Sequence, residues 1–218
     1  MQKRKTHNPD FAGLYTAVVA DALDGLGYRN QCLPATIRAL TGARRVAGRV
    51  FTARARAVDE TSNEPYKLEI AAVDAMSAGD VFVVDAGFDT SCGFWGELLT
   101  TACLAKGVCG VVMTACTRDL WRLEEAGFPV FGIGMHPADS LGRMDIEEIG
   151  VPIEIGGVGM ETGDWILGDV DGVVVIPDAV ANEALRRSRE KVGGENEVRD
   201  TLLAGEPMGE VFARYGIL

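Results

Sequence analysis

Three short apolar runs constrain this chain more than any other feature: residues 81–84 (Val-Phe-Val-Val), 110–113 (Gly-Val-Val-Met) and 128–131 (Phe-Pro-Val-Phe). Each is too short for a helix and lacks polar alternation, the mark of a strand buried on both faces. Two helically patterned segments separate them, residues 95–106, stopped by Gly107, and residues 119–126. A strand–helix–strand–helix–strand rhythm of this kind predicts parallel pairing with helical crossovers. Upstream, residues 11–25 form a helix with Asp10 as N-cap. Leu14, Val18, Val19, Ala22, Leu23 and Leu26 make one stripe, and Gly25 and Gly27 close it in left-handed conformations. Residues 46–58 alternate as a strand with a bend at Gly48. Pro65 opens a helix to residue 77 with Leu68, Ala71, Ala72, Ala75 and Met76 inward.

After residue 131 a loop rich in Gly, Pro and Asp leads to three strands, at 151–155, 165–167 and 173–176, separated by turn dipeptides. The tail from Pro177 is helical and amphipathic. The pair Gly193-Gly194 costs a helix about 2 kcal/mol against alanine, so a break is expected there. Nothing marks a linker or a repeat, and residues 1–218 read as one α/β domain, large enough at 47% apolar content to bury a core.

Charge and residue usage narrow the function. A net charge of −11 repels phosphate backbones and anionic membranes, so neither nucleic acid nor membrane is an expected partner. Ten of the 21 Lys and Arg fall in the first 56 residues, with three of the 32 acids. Arg44, Arg45, Arg49, Arg54 and Arg56 there read as a solvated face or a contact with an acidic neighbouring subunit. No signal-peptide pattern opens the chain and no stretch of about 18 apolar residues crosses a membrane. The five cysteines are odd in number and form no Cys-x-x-Cys, which indicates a reducing, cytoplasmic setting.

Only His7 and His136 are present, which excludes zinc sites built on two or three histidines. A Ser-His-Asp triad finds no Gly-x-Ser-x-Gly elbow. The glycine-rich stretch 157–163 lacks the dinucleotide-binding spacing and reads as turn chemistry; no Walker A loop occurs. A metal here would be held by oxygen, which points to magnesium or manganese.

The informative pairing is Gly96-Glu97-Leu98-Leu99 with Arg118-Asp119; twenty residues lie between Glu97 and Arg118. The first opens a helix, whose early N–H groups lack intrahelical acceptors and suit a carboxylate. The second leaves the next buried strand. If those strands are parallel neighbours, both segments emerge on one sheet edge, where α/β ligand sites form. Taken alone, Asp119 reads as an N-cap, Arg118 as a surface ion pair and Glu97 as a helix-start acid.

These segments, together with Asp21-Ala22-Leu23-Asp24-Gly25-Leu26-Gly27, Gly127-Phe128-Pro129-Val130-Phe131 and the run from Gly168 to Pro177, resemble the RraA-like family. That family holds the 4-hydroxy-4-methyl-2-oxoglutarate / 4-carboxy-4-hydroxy-2-oxoadipate aldolases and the regulator of ribonuclease activity A. The resemblance implies an αββα sandwich with a central parallel-rich sheet and a C-terminal helix. It implies homotrimers or homohexamers with active sites at subunit interfaces. It places Asp119 as metal ligand, Arg118 on the 2-oxo group, and the Gly96, Glu97, Leu98 and Leu99 amides on the pyruvyl carboxylate. Glu97 stands where aspartate is usual, and Glu195 is the candidate for a glutamate supplied by the adjacent subunit. Three features depart from the aldolase pattern: Thr114-Ala115 replaces Asp-Gly, Arg122 replaces an acid, and Gly193-Gly194 lies beside Glu195.

The activity so implied is a class II pyruvate aldolase and oxaloacetate decarboxylase acting on 4-hydroxy-2-oxo dicarboxylic acids through a pyruvate enolate. Arg118 and the metal stabilise that enolate, with Glu97 or Glu195 and water relaying protons. The only lysine near the motifs is Lys106, which disfavours a Schiff base. The alternative is a non-catalytic regulator binding a protein such as a ribonuclease, though that type lacks the aspartate that this chain keeps as Asp119.

Overall fold

The computed structural model describes residues 9–217; His7 and the charged start of the chain lie outside them. In chain order the elements are α1 (Thr16–Asp24), β1 (Arg38–Ala39), β2 (Val46–Ala57), α2 (Lys67–Ala75), β3 (Asp80–Asp85), β4 (Gly93–Trp95) and α3 (Glu97–Lys106). Then follow β5 (Gly110–Met113), β6 (Cys116–Thr117), α4 (Leu120–Ala126), β7 (Val130–Gly132), β8 (Gly134–Met135) and β9 (Met144–Ile149). The chain ends with β10 (Ile153–Ile155), β11 (Val158–Met160), β12 (Trp165–Gly168), β13 (Val173–Ile176), α5 (Ala181–Leu203) and α6 (Met208–Tyr215).

The main sheet runs β1-β7-β5-β3-β2-β12-β13, with β9 on the far half of β2. The pairs β2–β3, β3–β5 and β5–β7 are parallel, as the apolar runs require. The remaining pairs are antiparallel. Strand alternation divides the interior. From β3, Phe82 and Val84 face the helices α2, α3 and α4, while Val81 and Val83 face inward. From β12 and β13, Ile166 and Val175 join that inner core, and Trp165, Leu167, Val174 and Ile176 turn outward under α1 and α5. The sheet thus curls so that its parallel and antiparallel halves share one apolar interior, closed by the β10–β11 hairpin. The layers are helix, sheet, sheet, helix.

Several elements differ from the sequence reading, each for a local reason. Helix α1 starts at Thr16, not at residue 11, because Asp169 in the β12–β13 turn accepts from both the backbone N and Oγ1 of Thr16 at 2.7 Å. Asp10 instead takes the Ala12 N–H. Gly25 is right-handed at φ −65°, and only Gly27 is left-handed. Gly48 makes no bend: a Cβ there would sit 2.4 Å from the Gly79 carbonyl oxygen, so glycine is needed for close approach to β3's leading loop. The irregularity of β2 falls at Arg54/Ala55. Helix α2 is rotated from the expected stripe and buries Glu69, Ala72 and Val73, with Met76 after it. Residues 144–149, read as loop, form β9 on the end of β2.

The expected break at Gly193-Gly194 is absent: α5 is continuous for 23 residues. A Cβ on Gly194 would lie 2.8 Å from Ile217 Cδ1, so this glycine admits the returning chain end, and packing on α1 and α6 supplies what propensity lacks. Gly193 has nothing within 4 Å of its Cβ position. Two substitutions separate these effects in urea unfolding. Gly48→Ala is expected to lower stability by about 2 kcal/mol through overpacking. Gly193→Ala is expected to raise it by about 1 kcal/mol through helix propensity.

Candidate functional site

The site begins with one buried ring. Trp95, fully buried, stacks on Phe128 at 6.1 Å and donates its indole N–H to Thr100 Oγ1 at 2.8 Å. This fixes the end of β4 against the start of α3. Strand β6 pairs in parallel with β4, so Trp95's carbonyl accepts from the Arg118 backbone N at 2.8 Å and from Thr117 Oγ1 at 2.9 Å. The two motif segments, separated by twenty residues in sequence, are therefore locked side by side at one edge of a small parallel sheet, β4-β6-β8. The glycines make this possible: a Cβ on Gly96 would stand 2.7 Å from Asp119 Oδ2, and one on Gly93 2.7 Å from Arg118 Cβ.

Asp119 sits at φ 58° before α4. Its carboxylate makes no side-chain cap on that helix. It accepts instead from the Glu97 backbone N, at 3.2 Å, the first turn of α3. The first-turn N–H groups of Leu98 and Leu99, at the same helix end, also lack intrahelical acceptors. Arg118 is pulled two ways, its Nε 3.7 Å from Asp119 Oδ2 and its Nη1 3.4 Å from Asp139 Oδ1. Asp139 also accepts from the Tyr66 hydroxyl at 3.1 Å. Burial, then that bond, raises the Tyr66 pKa. Gly96, Glu97, Leu98, Leu99, Arg118 and Asp119 all line one cleft of about 570 Å³.

The departures acquire geometry. Arg122 reaches Glu97 with Nε to Oε1 at 3.5 Å and lies over the Trp121 ring at 4.0 Å. Thr114 is fully buried; its Oγ1 accepts from Ala86 N at 2.6 Å and donates to Asp85 Oδ1 at 3.2 Å, tying the ends of β3 and β5. Glu195 is not brought to this cleft within the chain. It lies on α5, in the helical layer over the antiparallel half, hydrogen-bonded by the Tyr15 hydroxyl and 3.9 Å from Lys191. His136 lines the neighbouring pocket, its Nδ1 accepting from Ala138 N at 3.1 Å.

Three titratable lining residues went unread in the sequence: Tyr66, Glu69 and Asp139. Asp139 arrives through a bridge between Gly93 and Asp139, a tertiary contact without local signal. Glu69 had one available signal, since it falls at i, i+3, i+4 with Ala72 and Val73, an acid at a core position. It is 3% exposed, and burial, with Asp145 and Asp139 adding, pushes its pKa from 4.5 up to about 7.

As for a metal, among the described residues no three Asp, Glu, His or Cys side chains converge to chelate one. A hard ion that keeps most of its waters needs only one or two carboxylates. Asp119 offers one, facing the cleft 41% exposed, so the residues present suit a largely hydrated ion. No helix among the described residues is long and apolar enough to cross a membrane.

Fold and site together define an α/β protein with an arginine–carboxylate cleft at the ends of parallel strands. Residues 16–175 match the family model RraA-like, described as Aldolase/RraA, and the chain belongs to that family. It is 32% identical over 198 residues to a Halalkalibacterium halodurans protein named "Putative 4-hydroxy-4-methyl-2-oxoglutarate aldolase", covering 91% of this chain and 89% of that one. It is 24% identical to protein DlpA of Legionella pneumophila, of which it spans 32%. Its fold is similar to that of RraAS2 of Streptomyces coelicolor, described as an unusual member of the RNase ES inhibitor RraA family, with TM-score 0.78, 27% identity and coverage of 88% and 99%.

The Glu69 shift makes a signed prediction. Between pH 4.5 and about 7 the folded protein keeps a proton that the unfolded chain has lost, so stability falls as pH rises through that window. Glu69→Gln removes this loss. In urea titrations the variant is expected to gain on the parent across the window and to be more stable by roughly 2–3 kcal/mol above it.

Proposed function

We propose that this protein is a divalent-metal-dependent carbon–carbon lyase that cleaves 4-hydroxy-2-oxo acids to pyruvate and decarboxylates oxaloacetate. The observation that carries this reading is the position of Arg118 beside both Asp119 and the first-turn amides of α3. A pyruvyl group has two features to be met there: a carboxylate, suited to the Leu98 and Leu99 N–H groups, and a 2-oxo oxygen, suited to the guanidinium.

The chemistry follows from what the residues do. When the C3–C4 bond breaks, its electron pair moves into the pyruvyl half and negative charge builds on the 2-oxo oxygen, where Arg118 stabilises it. A magnesium or manganese ion held by Asp119 would add a second positive charge at that oxygen. The C4 hydroxyl must lose a proton, and C3 must then gain one. Glu97, which lines the cleft with Arg122 3.5 Å away, would relay these protons through water. Loss of carbon dioxide from oxaloacetate generates the same enolate. Glu195 would join only from a neighbouring copy, as the implied homotrimer or homohexamer provides. The apolar surface beside the cleft, with Leu98 81% and Ile70 57% exposed, supports such an interface. The resemblance implies a second carboxylate at the far end of the substrate.

The regulator reading draws on the similarity to RraAS2 and requires neither Asp119 nor a metal. Pyruvate release separates the two. Chelator-treated protein is expected to be inactive on oxaloacetate and to recover turnover above the metal-only background with magnesium or manganese. Asp119→Ala should leave only that background, and Arg118→Ala should lower kcat/KM by roughly 10²–10³. Full turnover in folded Asp119→Ala protein would sink the assignment.

A further inference from the structure

Glu69 Oε1 is buried and has no hydrogen-bond partner. Folded proteins rarely leave such an atom unmet unless something else uses it. The other deeply placed acid, Asp164, accepts from the backbone N of Glu161 and of Asp178, both at 3.0 Å. Glu69 differs also in location, since it lies in the wall between the main cleft and a smaller cavity of about 160 Å³ that Asp145 lines.

The charge around it is one-sided. Among the described residues lining the cleft, Arg118 is the single cation, set against Glu97, Asp119, Asp139 and Glu69. Arg118 is already shared by Asp119 and Asp139. In the smaller cavity Lys67 is held by Glu64 at 2.7 Å. The cleft is lined as well by the hydroxyls of Ser140 and of Tyr66, which donates to Asp139. A substrate carboxylate at this end would meet acids and no cation of its own. An alcohol can both donate and accept, and so can a carboxyl group that holds its proton.

We propose that Glu69 is a specificity-determining residue that hydrogen-bonds a hydroxyl group of the substrate's tail, so that the cleft prefers 2-oxo acids with a neutral, hydroxylated tail over 2-oxo dicarboxylates. This rests on the lyase reading above and narrows its substrate class. Burial, Asp145 and Asp139 disfavour negative charge on Glu69 itself, and the same surroundings disfavour a carboxylate brought there by a substrate. The reaction balances with such a tail. The C3–C4 bond breaks with its electron pair going to the pyruvyl half, C3 takes a proton, and the C4 hydroxyl gives one up to leave as an aldehyde.

The experiment compares 4,5-dihydroxy-2-oxopentanoate with 4-hydroxy-2-oxoglutarate, equal in chain length and differing at the terminal group. Pyruvate release is followed with magnesium or manganese in the parent protein, Glu69→Gln and Glu69→Leu. The parent is expected to favour the alcohol-ended substrate by about tenfold or more in kcat/KM. Glu69→Gln, which keeps a donor and an acceptor, should retain most of that preference. Glu69→Leu should lose about tenfold of it, chiefly through KM for the alcohol. Equal or better turnover of the dicarboxylate by the parent, or an undiminished preference in folded Glu69→Leu, overturns the role of Glu69 while the lyase reading stands. The parental preference needs no variant, so a leucine protein that does not fold leaves that test intact. Pyruvate from neither substrate nor from oxaloacetate, under both metals, overturns the lyase reading and this inference with it.

Discussion

Strand β2 joins the two halves of this protein. Its first residues, Val46 to Arg49, pair antiparallel with β12, its middle pairs parallel with β3, and its last residues pair with β9. Because successive side chains alternate, one strand feeds both sides: Val46 and Val50 enter the inner core, Ala53 and Ala55 the core beneath the helices. The close passage at Gly48 lets the parallel half approach at all. Once β3 is set beside β2, β5 and β7 follow in parallel register, and their connecting loops emerge at a common edge.

The site is a consequence of that edge. The chain adds a second, smaller parallel sheet above it, and Trp95 anchors the arrangement through its ring, its indole N–H and its carbonyl oxygen. Little of the geometry depends on the charged groups themselves, which are partly exposed and contribute modestly to stability as ion pairs. Backbone bonds place Arg118, and space at Gly93 and Gly96 lets its neighbours close around it. The cleft therefore holds its charges in fixed positions without the fold depending on their attraction, which is the arrangement electrostatic stabilisation of a developing anion requires.

Three side chains outside the motif segments shape the chemistry around them. Arg122 turns the Glu97 carboxylate into half of an ion pair. Thr114 closes the ends of β3 and β5 with neutral hydrogen bonds. Glu69 puts a carboxyl group into the core-facing stripe of α2, where an apolar residue would be the stabilising choice. All three lie outside the segments Gly96 to Leu99 and Arg118-Asp119.

The sequence alone determined the order of the main helices and the parallel pairing of β3, β5 and β7, since unbroken apolar runs of strand length between helical segments have few other ways to be buried. It also put Glu97 at a helix start and Arg118 and Asp119 at a strand end, while the roles expected of them came only from the resemblance to the RraA-like family. Tertiary structure decided the rest. The start of α1 depends on Asp169 from a distant turn, the continuity of α5 across two glycines on packing against α1 and α6, and the strand at 144–149 on pairing with β2. Tyr66, Glu69 and Asp139 line the same cleft as Arg118 only because segments distant in sequence converge there. Local propensity is a property of neighbouring residues, whereas burial, close approach and charge pairing are properties of residues that only the folded chain brings together.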